Sequence, residues 1–127
     1  MLTINLEPGS VLLLDGAEMS FNRRVNVHFH TRVRFLAGAW VMHPSEAVTP
    51  EAQLYLAIQI AYVGPPEDRQ AAWDRAQDLA RQINNPAAQD MIELAADGKF
   101  HAALKIGRSE RMLDNFRHRK IKTRLDT

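Results

Sequence analysis

The first third of the chain alternates between apolar and polar positions with a period of two. In residues 21–35, FNRRVNVHFHTRVRF, apolar side chains fall on odd positions and basic ones, apart from Arg23, on even positions. This period is typical of a β-strand with one buried face. The other face is expected to be basic, because the run contains no acid. Its members are Arg24, His28, His30, Arg32 and Arg34.

Further strands are predicted on either side of this stretch. The segment 2–6 alternates, and Asp15-Gly16 stands between two apolar runs, which favours a hairpin because both turn positions adopt positive φ. The segment 35–42 adds a last strand that is interrupted at Gly38. With turns expected near residues 22–23 and 30–31, the pattern predicts four to six short strands in a small antiparallel sheet or partial barrel.

From residue 44 onward the apolar positions take helical spacing. Thr49 followed by Pro50 is a helix start, with a hydroxyl cap before a proline that needs no N–H partner. The helix 50–63 is apolar nearly all round and should be central. The sequence therefore predicts an α+β fold: a β module (1–43), a helical region packed on it (44–121) and a basic tail (122–127). The other predicted helices are 67–83, 86–97, 99–107 and 109–121.

The composition narrows the range of functions. The 127 residues are 46% hydrophobic and 24% charged, which are ordinary values for a globular protein. Cysteine is absent, which excludes disulfides, thiolate metal sites and cysteine nucleophiles. Phosphate-binding loop, dinucleotide-binding and zinc-protease motifs are also missing, so neither an enzyme nor a cofactor is predicted. Without a signal peptide or an apolar run of about 18 residues, a cytoplasmic protein with no membrane contact is expected.

The net charge of +1 is distributed unevenly along the chain. Residues 99–127 hold nine basic and three acidic side chains, whereas residues 48–98 hold three and eight. Arginine suits phosphate because its planar fork donates two hydrogen bonds at once. The basic strand face and the tail are thus candidates for RNA contact, although a solvated surface explains the strand face equally well and explains the tail better. The tail candidates are Arg117, Arg119, Lys120 and Lys122.

Other residues with binding chemistry favour structural interpretations. His28 and His30 could share a metal ion, but a zinc site needs three or four ligands, so no metal site is predicted. Tyr55, Tyr62 and Trp73 occur at helical spacing among leucines and alanines, which predicts core packing rather than base stacking. No aromatic-basic pattern of a single-strand-binding sheet is apparent.

One stretch resembles a known family. The segment 42–65, MHPSEAVTPEAQLYLAIQIAYVGP, is similar to the signature of the FlbT family of flagellar biosynthesis repressors. That signature is a Pro-x-Glu-Ala-x-Thr-Pro start followed by a Leu-Tyr-x-x-Ile-Gln helix. The opening INLEPGSVLLLDGAEM and the later DGKFHAALKIGRSERML also look like the family's patterns. The resemblance covers about residues 2–116.

The resemblance implies a post-transcriptional repressor of flagellum biogenesis. Family members are described as associating with the leader (5′ untranslated region) of flagellin mRNA and promoting its degradation. They are not enzymes, so decay requires a cellular nuclease. They are also linked to flagellin and to FlaF, a small helical protein. No RNA-contacting residues carry over from the family by position, so the candidate residues rest on charge and alternation.

Two hypotheses remain open after the sequence analysis. In the first, the basic face and tail bind the flagellin mRNA leader directly. In the second, the chain is a protein-binding module or chaperone that receives flagellin or a FlaF-like protein on its helices and acts on the transcript indirectly. Assembly into a homo-oligomer is also left open. The candidate protein-binding residues, expected to be exposed, are Met91, Met112 and Phe116.

Overall fold

A computed structural model describes residues 1–109 of the chain. This part contains five strands and four α-helices, with short 3-10 turns at Gly38–Trp40 and Pro44–Glu46. The predicted fifth helix and basic tail lie outside the described residues, and the predicted division at residue 43 stays a prediction. In chain order the elements are β1 (Leu2–Leu6), β2 (Val11–Leu14), β3 (Ala17–Ser20), β4 (Val25–Phe29), β5 (Phe35–Ala37), α1 (Pro50–Val63), α2 (Pro66–Gln82), α3 (Pro86–Ala96) and α4 (Phe100–Gly107).

The strands form two small antiparallel sheets. One pairs β1 with β4, and the other has the order β3-β2-β5. Asp15 and Gly16 both have positive φ, 45° and 93°, so the predicted two-residue hairpin between β2 and β3 is confirmed. The sheets do not close into a barrel within residues 1–109. The α+β prediction is confirmed.

The β3-β2-β5 sheet lies between the other two layers. Leu12 belongs to an apolar cluster with Leu6 and Phe29 of the β1–β4 sheet. Leu36, on the opposite face of the same sheet, belongs to the larger cluster built by the helices, and Leu13 packs against that cluster. Because successive strand residues point to opposite faces, these short strands supply apolar side chains to both clusters.

Helix α1 is central, as predicted. Thr49 accepts a hydrogen bond from the Ala52 N–H at 3.1 Å, and Pro50 occupies the first turn. Leu54, Tyr55 and Ile58 are completely buried. The helix contacts α2, α3, α4 and β5. The predicted bounds of α2, α3 and α4 agree with the observed ones to within one residue at each end.

Two side chains of α1 hold the segment that joins the sheet to the helices. The Tyr55 hydroxyl donates to the Trp40 carbonyl oxygen at 2.7 Å. The Gln59 amide accepts from the Met42 N–H at 2.8 Å and donates to the Met42 carbonyl at 3.0 Å. Both residues come from the Leu-Tyr-x-x-Ile-Gln signature, so this part of the signature fixes residues 40–42 on the central helix.

No helix in the described part of the chain is both long enough and apolar enough to cross a membrane.

Candidate nucleic-acid interface

The predicted basic face does not form a single strand surface. Strand β4 ends at Phe29, because β1 pairs with it only as far as the Leu2–Phe29 pair. The chain then bends at residues 30–31, as expected, and β5 begins at Phe35. The prediction of one continuous face from residue 24 to residue 34 is therefore wrong. Residues 30–34 are irregular, and Val33, expected to be buried, is 38% exposed.

The part of this face on the β1–β4 sheet is already paired. Arg24 forms a salt bridge with Glu7 at 3.0 Å. The Nδ1 atom of His28 is hydrogen-bonded to the Thr3 hydroxyl at 2.9 Å. The expectation that no acid neutralises Arg24 is wrong, because the antiparallel register brings Glu7 of another segment beside it. Arg24 and His28 thus have roles within the sheet.

Arg34 is held at the junction of the sheet and the helices. The Asp15 N–H at the hairpin tip donates to the Arg34 carbonyl at 3.0 Å. The Arg34 guanidinium donates to the Tyr62 carbonyl at the end of α1, at 3.3 Å. The hairpin tip is itself tied to the α1–α2 junction by the Gly16 N–H, which donates to the Val63 carbonyl at 2.9 Å. The Asp15-Gly16 turn therefore determines where Arg34 lies.

Arg32 is the least constrained arginine of the predicted face. Its side chain is exposed, and it forms no hydrogen bond or ion pair with any residue between 1 and 109. His30 is also exposed and follows the end of β4. A planar guanidinium without a protein partner retains all its donors for a phosphate.

Three neighbouring grooves run past Arg32 and Arg34, with volumes of about 440, 630 and 510 Å³. The first and second share Arg32, and the second and third share Arg34. Among residues 1–109, no aspartate or glutamate lines any of the three. We call this surface the arginine–aromatic track. Its basic and ring-bearing residues are Phe29, His30, Arg32, Arg34, Phe35, Tyr62, Arg69, Trp73, Phe100 and His101.

Aromatic rings line the centre of the track. Tyr62 and Phe100 are stacked, with ring centroids 4.8 Å apart and planes 15° apart. His101, which is exposed, meets Tyr62 edge to face at 5.4 Å and Phe35 at 5.5 Å. The Arg34 guanidinium lies 5.8 Å from both the Tyr62 and the Phe100 centroid. Such distances are typical of cation–π contacts.

This arrangement of rings was not predicted from the sequence. Phe35, Tyr62 and His101 come from β5, α1 and α4, so no local spacing connects them. The prediction that Tyr55 packs in the core is confirmed, whereas Tyr62 and Trp73 are only partly buried and line the track. Two adjacent rings at the start of α4, Phe100-His101, were the one available signal.

The polar groups along the track differ in what they can offer to a ligand. Arg69 is engaged with the Asp15 carboxylate at 2.7 Å and the Gly64 carbonyl at 2.8 Å. Burial raises the pKa of Tyr62, although Arg34 lowers it, so the phenol is neutral at physiological pH. Arg32 and Arg34 are therefore the cations best placed for phosphate, with neutral rings between and beside them.

A second cation–aromatic contact lies beside the track. The Arg108 guanidinium is 4.4 Å from the Trp40 ring centroid, and Trp40 is 6.2 Å from the His101 ring. Trp40 is partly buried, in agreement with its position at the end of the β region. Its backbone is the one held by Tyr55, so the central helix positions this ring as well.

The remaining predicted site residues lie elsewhere. Met91 is completely buried, so its predicted exposure is wrong. It packs in the space left by Gly107, where a Cβ would lie 2.7 Å from the Met91 methyl carbon. Among residues 1–109 no three metal-binding side chains cluster. The other candidates lie outside the described residues: Met112, Phe116, Arg117, Arg119, Lys120 and Lys122.

These observations define the class of protein: a small α+β protein with a groove of arginines and aromatic rings at the junction of its sheets and helices, lined by no acid from residues 1–109. The model of the family "Flagellar protein FlbT" matches residues 2–113. The chain belongs to the FlbT family, and the resemblance seen in the sequence is confirmed.

Several relatives carry the name "Probable flagellum biosynthesis repressor protein FlbT". The Agrobacterium fabrum protein is 30% identical over 112 residues, which is 82% of this chain and 74% of the relative. The Chelativorans sp. protein is 28% identical over 109 residues, 80% of this chain and 75% of the relative. No solved structure matches the chain. These relatives are thus named as probable repressors of flagellum biosynthesis.

Proposed function

We propose that this protein represses flagellum biosynthesis in the cytoplasm by binding the leader of flagellin mRNA through the arginine–aromatic track and promoting the degradation of that message. It acts as a binding protein rather than an enzyme, and a cellular nuclease carries out the decay. The family supplies the biological process. The observation that carries RNA binding is the groove around Arg32 and Arg34, which has no acidic lining from the described part of the chain.

Another groove on the protein surface is lined by acidic residues. This groove lies beside α3, has a volume of about 760 Å³ and is lined by Asp90, Glu93 and Asp97. A polyanion would be repelled there and attracted to the track. The track therefore combines the two features that sequence-tolerant RNA binders use, namely cations for phosphates and rings for bases.

The test is fluorescence anisotropy of the purified protein with a labelled flagellin leader RNA and a shuffled RNA of equal length. The key variant is Arg32→Glu/Arg34→Glu. We expect the wild type to prefer the leader, and the double reversal to weaken binding at least tenfold. Each phosphate contact on a single strand contributes about 0.7 to the slope of log K against log salt, so loss of two contacts should flatten it by about 1.4.

A matched control changes the net charge equally elsewhere. Arg75→Glu/Arg81→Glu alters two exposed arginines of α2 that line none of the three grooves. Circular dichroism confirms folding of both variants, and Arg32→Glu alone covers the case in which Arg34 is needed for folding. If both double variants weakened RNA binding equally, the loss of affinity would be due to the change in net charge alone. That result would contradict the proposed site.

The protein-binding alternative is a separate outcome of the same experiment. If the wild type binds neither RNA but binds flagellin with little salt dependence, the direct RNA mechanism is wrong. Met91 is the one predicted protein-binding residue that lies within residues 1–109, and it is completely buried. A flagellin site on this part of the chain would therefore need a different surface. The direct RNA mechanism is favoured because Arg32 and Arg34 are exposed.

A further inference from the structure

We infer that the arginine–aromatic track selects unpaired RNA, holding bases on both sides of a ridge formed by Arg34, Tyr62 and Phe100. This inference rests on the proposed function and specifies its substrate class: single-stranded rather than duplex RNA. The ridge separates the second groove from the third. Tyr62 lines only the second groove and Phe100 only the third, while Arg34 lines both.

Each side of the ridge offers rings to a base. In the second groove the exposed His101 lies beside Tyr62 and Phe35. In the third groove Phe100 is accompanied by Trp73, and both are partly buried. Rings at the edge of a groove suit base stacking, which is sequence-tolerant because every base has a π-face.

The cation lies between the two sets of rings. The Arg34 guanidinium is 5.8 Å from both ridge ring centroids, and its backbone is fixed by the hairpin tip. A strand that crosses the ridge would place its linking phosphate near this group. Arg32, at the boundary of the first and second grooves, would meet a neighbouring phosphate.

The thickness of the ridge excludes a stacked helical strand. The Tyr62 and Phe100 rings are stacked with centroids 4.8 Å apart, so bases on opposite sides have two rings between them and are separated by at most this distance plus two stacking distances. Neighbouring bases of a stacked strand are only about 3.4 Å apart. A strand across the ridge must therefore be unstacked, as loops and free ends are, whereas the bases of an RNA duplex stay paired inside the helix.

The test compares a labelled 12-nucleotide oligoadenylate, free and as a hairpin whose stem pairs every adenine with uridine. We expect the free strand to bind at least tenfold more tightly. His101→Leu and His101→Ala should each weaken binding of the free strand about 5- to 150-fold, the range for loss of one stacked base. His101→Phe should bind the free strand about as tightly as the wild type does, because an aromatic ring is retained at this position.

Two further readouts separate stacking from charge or folding. His101→Leu should shift the affinity without changing the salt slope, whereas Arg32→Glu/Arg34→Glu should flatten the slope. The free strand should also quench tryptophan fluorescence, and Trp73→Phe should remove most of that quenching. Lys99→Ala, an exposed residue near His101 that lines none of the three grooves, is the control and should bind as the wild type does.

The outcomes distinguish this inference from the proposed function. If duplex and free strand bind equally, or His101→Leu binds like wild type while the arginine variant fails, the rings of the track do not stack bases and select unpaired RNA, and the proposed RNA-binding surface stands. If no RNA binds and the arginine variant changes nothing, both are overturned. Displacement of the free strand by flagellin, with no effect of the His101 substitutions on RNA, would assign the rings to a protein partner and contradict the inference.

Discussion

Replacement of Gln59 by leucine should remove the strongest polar link between the central helix and the segment that follows the β-sheets. Gln59 is only 5% exposed, and its amide satisfies both backbone groups of Met42, at 2.8 and 3.0 Å. Leucine has a similar size and an equal preference for helix, but it has no hydrogen-bonding group. Both Met42 groups would stay buried without partners.

The magnitude follows from these two lost hydrogen bonds. An unsatisfied buried backbone group costs about 1–3 kcal/mol, so two cost roughly 2–6 kcal/mol. Burial of the leucine side chain offsets about 1–2 kcal/mol of this loss. These limits leave a net loss of unfolding free energy of about 0–5 kcal/mol, with a central value of about 2.5 kcal/mol, against a total of about 5–15 kcal/mol for a domain. The melting temperature should fall by roughly 10 °C.

Urea denaturation followed by circular dichroism measures this loss, and Gln53→Leu is the matched control. Gln53 is on the same helix but bonds at the surface, to the Arg75 guanidinium at 3.1 Å. Its replacement should change the unfolding free energy by less than about 1 kcal/mol. If Gln59→Leu and Gln53→Leu proved equally stable, the Met42 groups would have other partners and the anchoring role of Gln59 would be refuted.

Two further substitutions test the same region. Tyr55→Phe removes the bond to the Trp40 carbonyl and should cost about 1–2 kcal/mol in urea denaturation at pH 7. Burial raises the pKa of Tyr55 above its unfolded value, so the protonated phenol stabilises the fold below about pH 10, and this contribution declines as the pH rises further. Tyr55→Phe should therefore lose less stability than wild type between pH 9 and 11; an equal loss would contradict this. Gly107→Ala would place a Cβ 2.7 Å from the Met91 methyl carbon and 2.9 Å from a Tyr55 ring carbon, and should cost about 1–3 kcal/mol. A stabilised Gly107→Ala protein, as helix propensity alone predicts, would show that the core adapts.

The elements that the sequence predicted correctly are those specified by local chemistry. The Asp15-Gly16 turn is determined by the two residues that adopt positive φ. Helix α1 begins where Thr49 and Pro50 satisfy its first turn, and α3 begins where Asn85 accepts from the Ala87 N–H. In each case the interacting groups are within three residues of one another.

The errors arose where partners are far apart in sequence. Arg24 and Glu7 are 17 residues apart, and Arg34 and Tyr62 are 28 apart. Neither pair has a local signature, so the alternation around Arg24 indicated a free basic face. The predicted exposure of Met91 is wrong for a similar reason. Met91 is buried because Gly107, in another helix, has no side chain and leaves space for it. Apolar residues of a helix can be assigned to a face only when the neighbouring helix is known.

The residues that identify the family and the residues proposed to bind RNA are largely different, and this affects how variants should be interpreted. Tyr55 and Gln59 lie in the signature, yet both are buried and hold residues 40–42. Tyr55 reaches the surface through Trp40, whose ring is 6.2 Å from His101, and Gln59 holds the nearby Met42 backbone. Loss of repression in a Gln59 variant should therefore follow the fraction of folded protein, while the folded molecules retain normal RNA affinity. Loss in an Arg32 or His101 variant should appear at full stability, because both side chains are exposed.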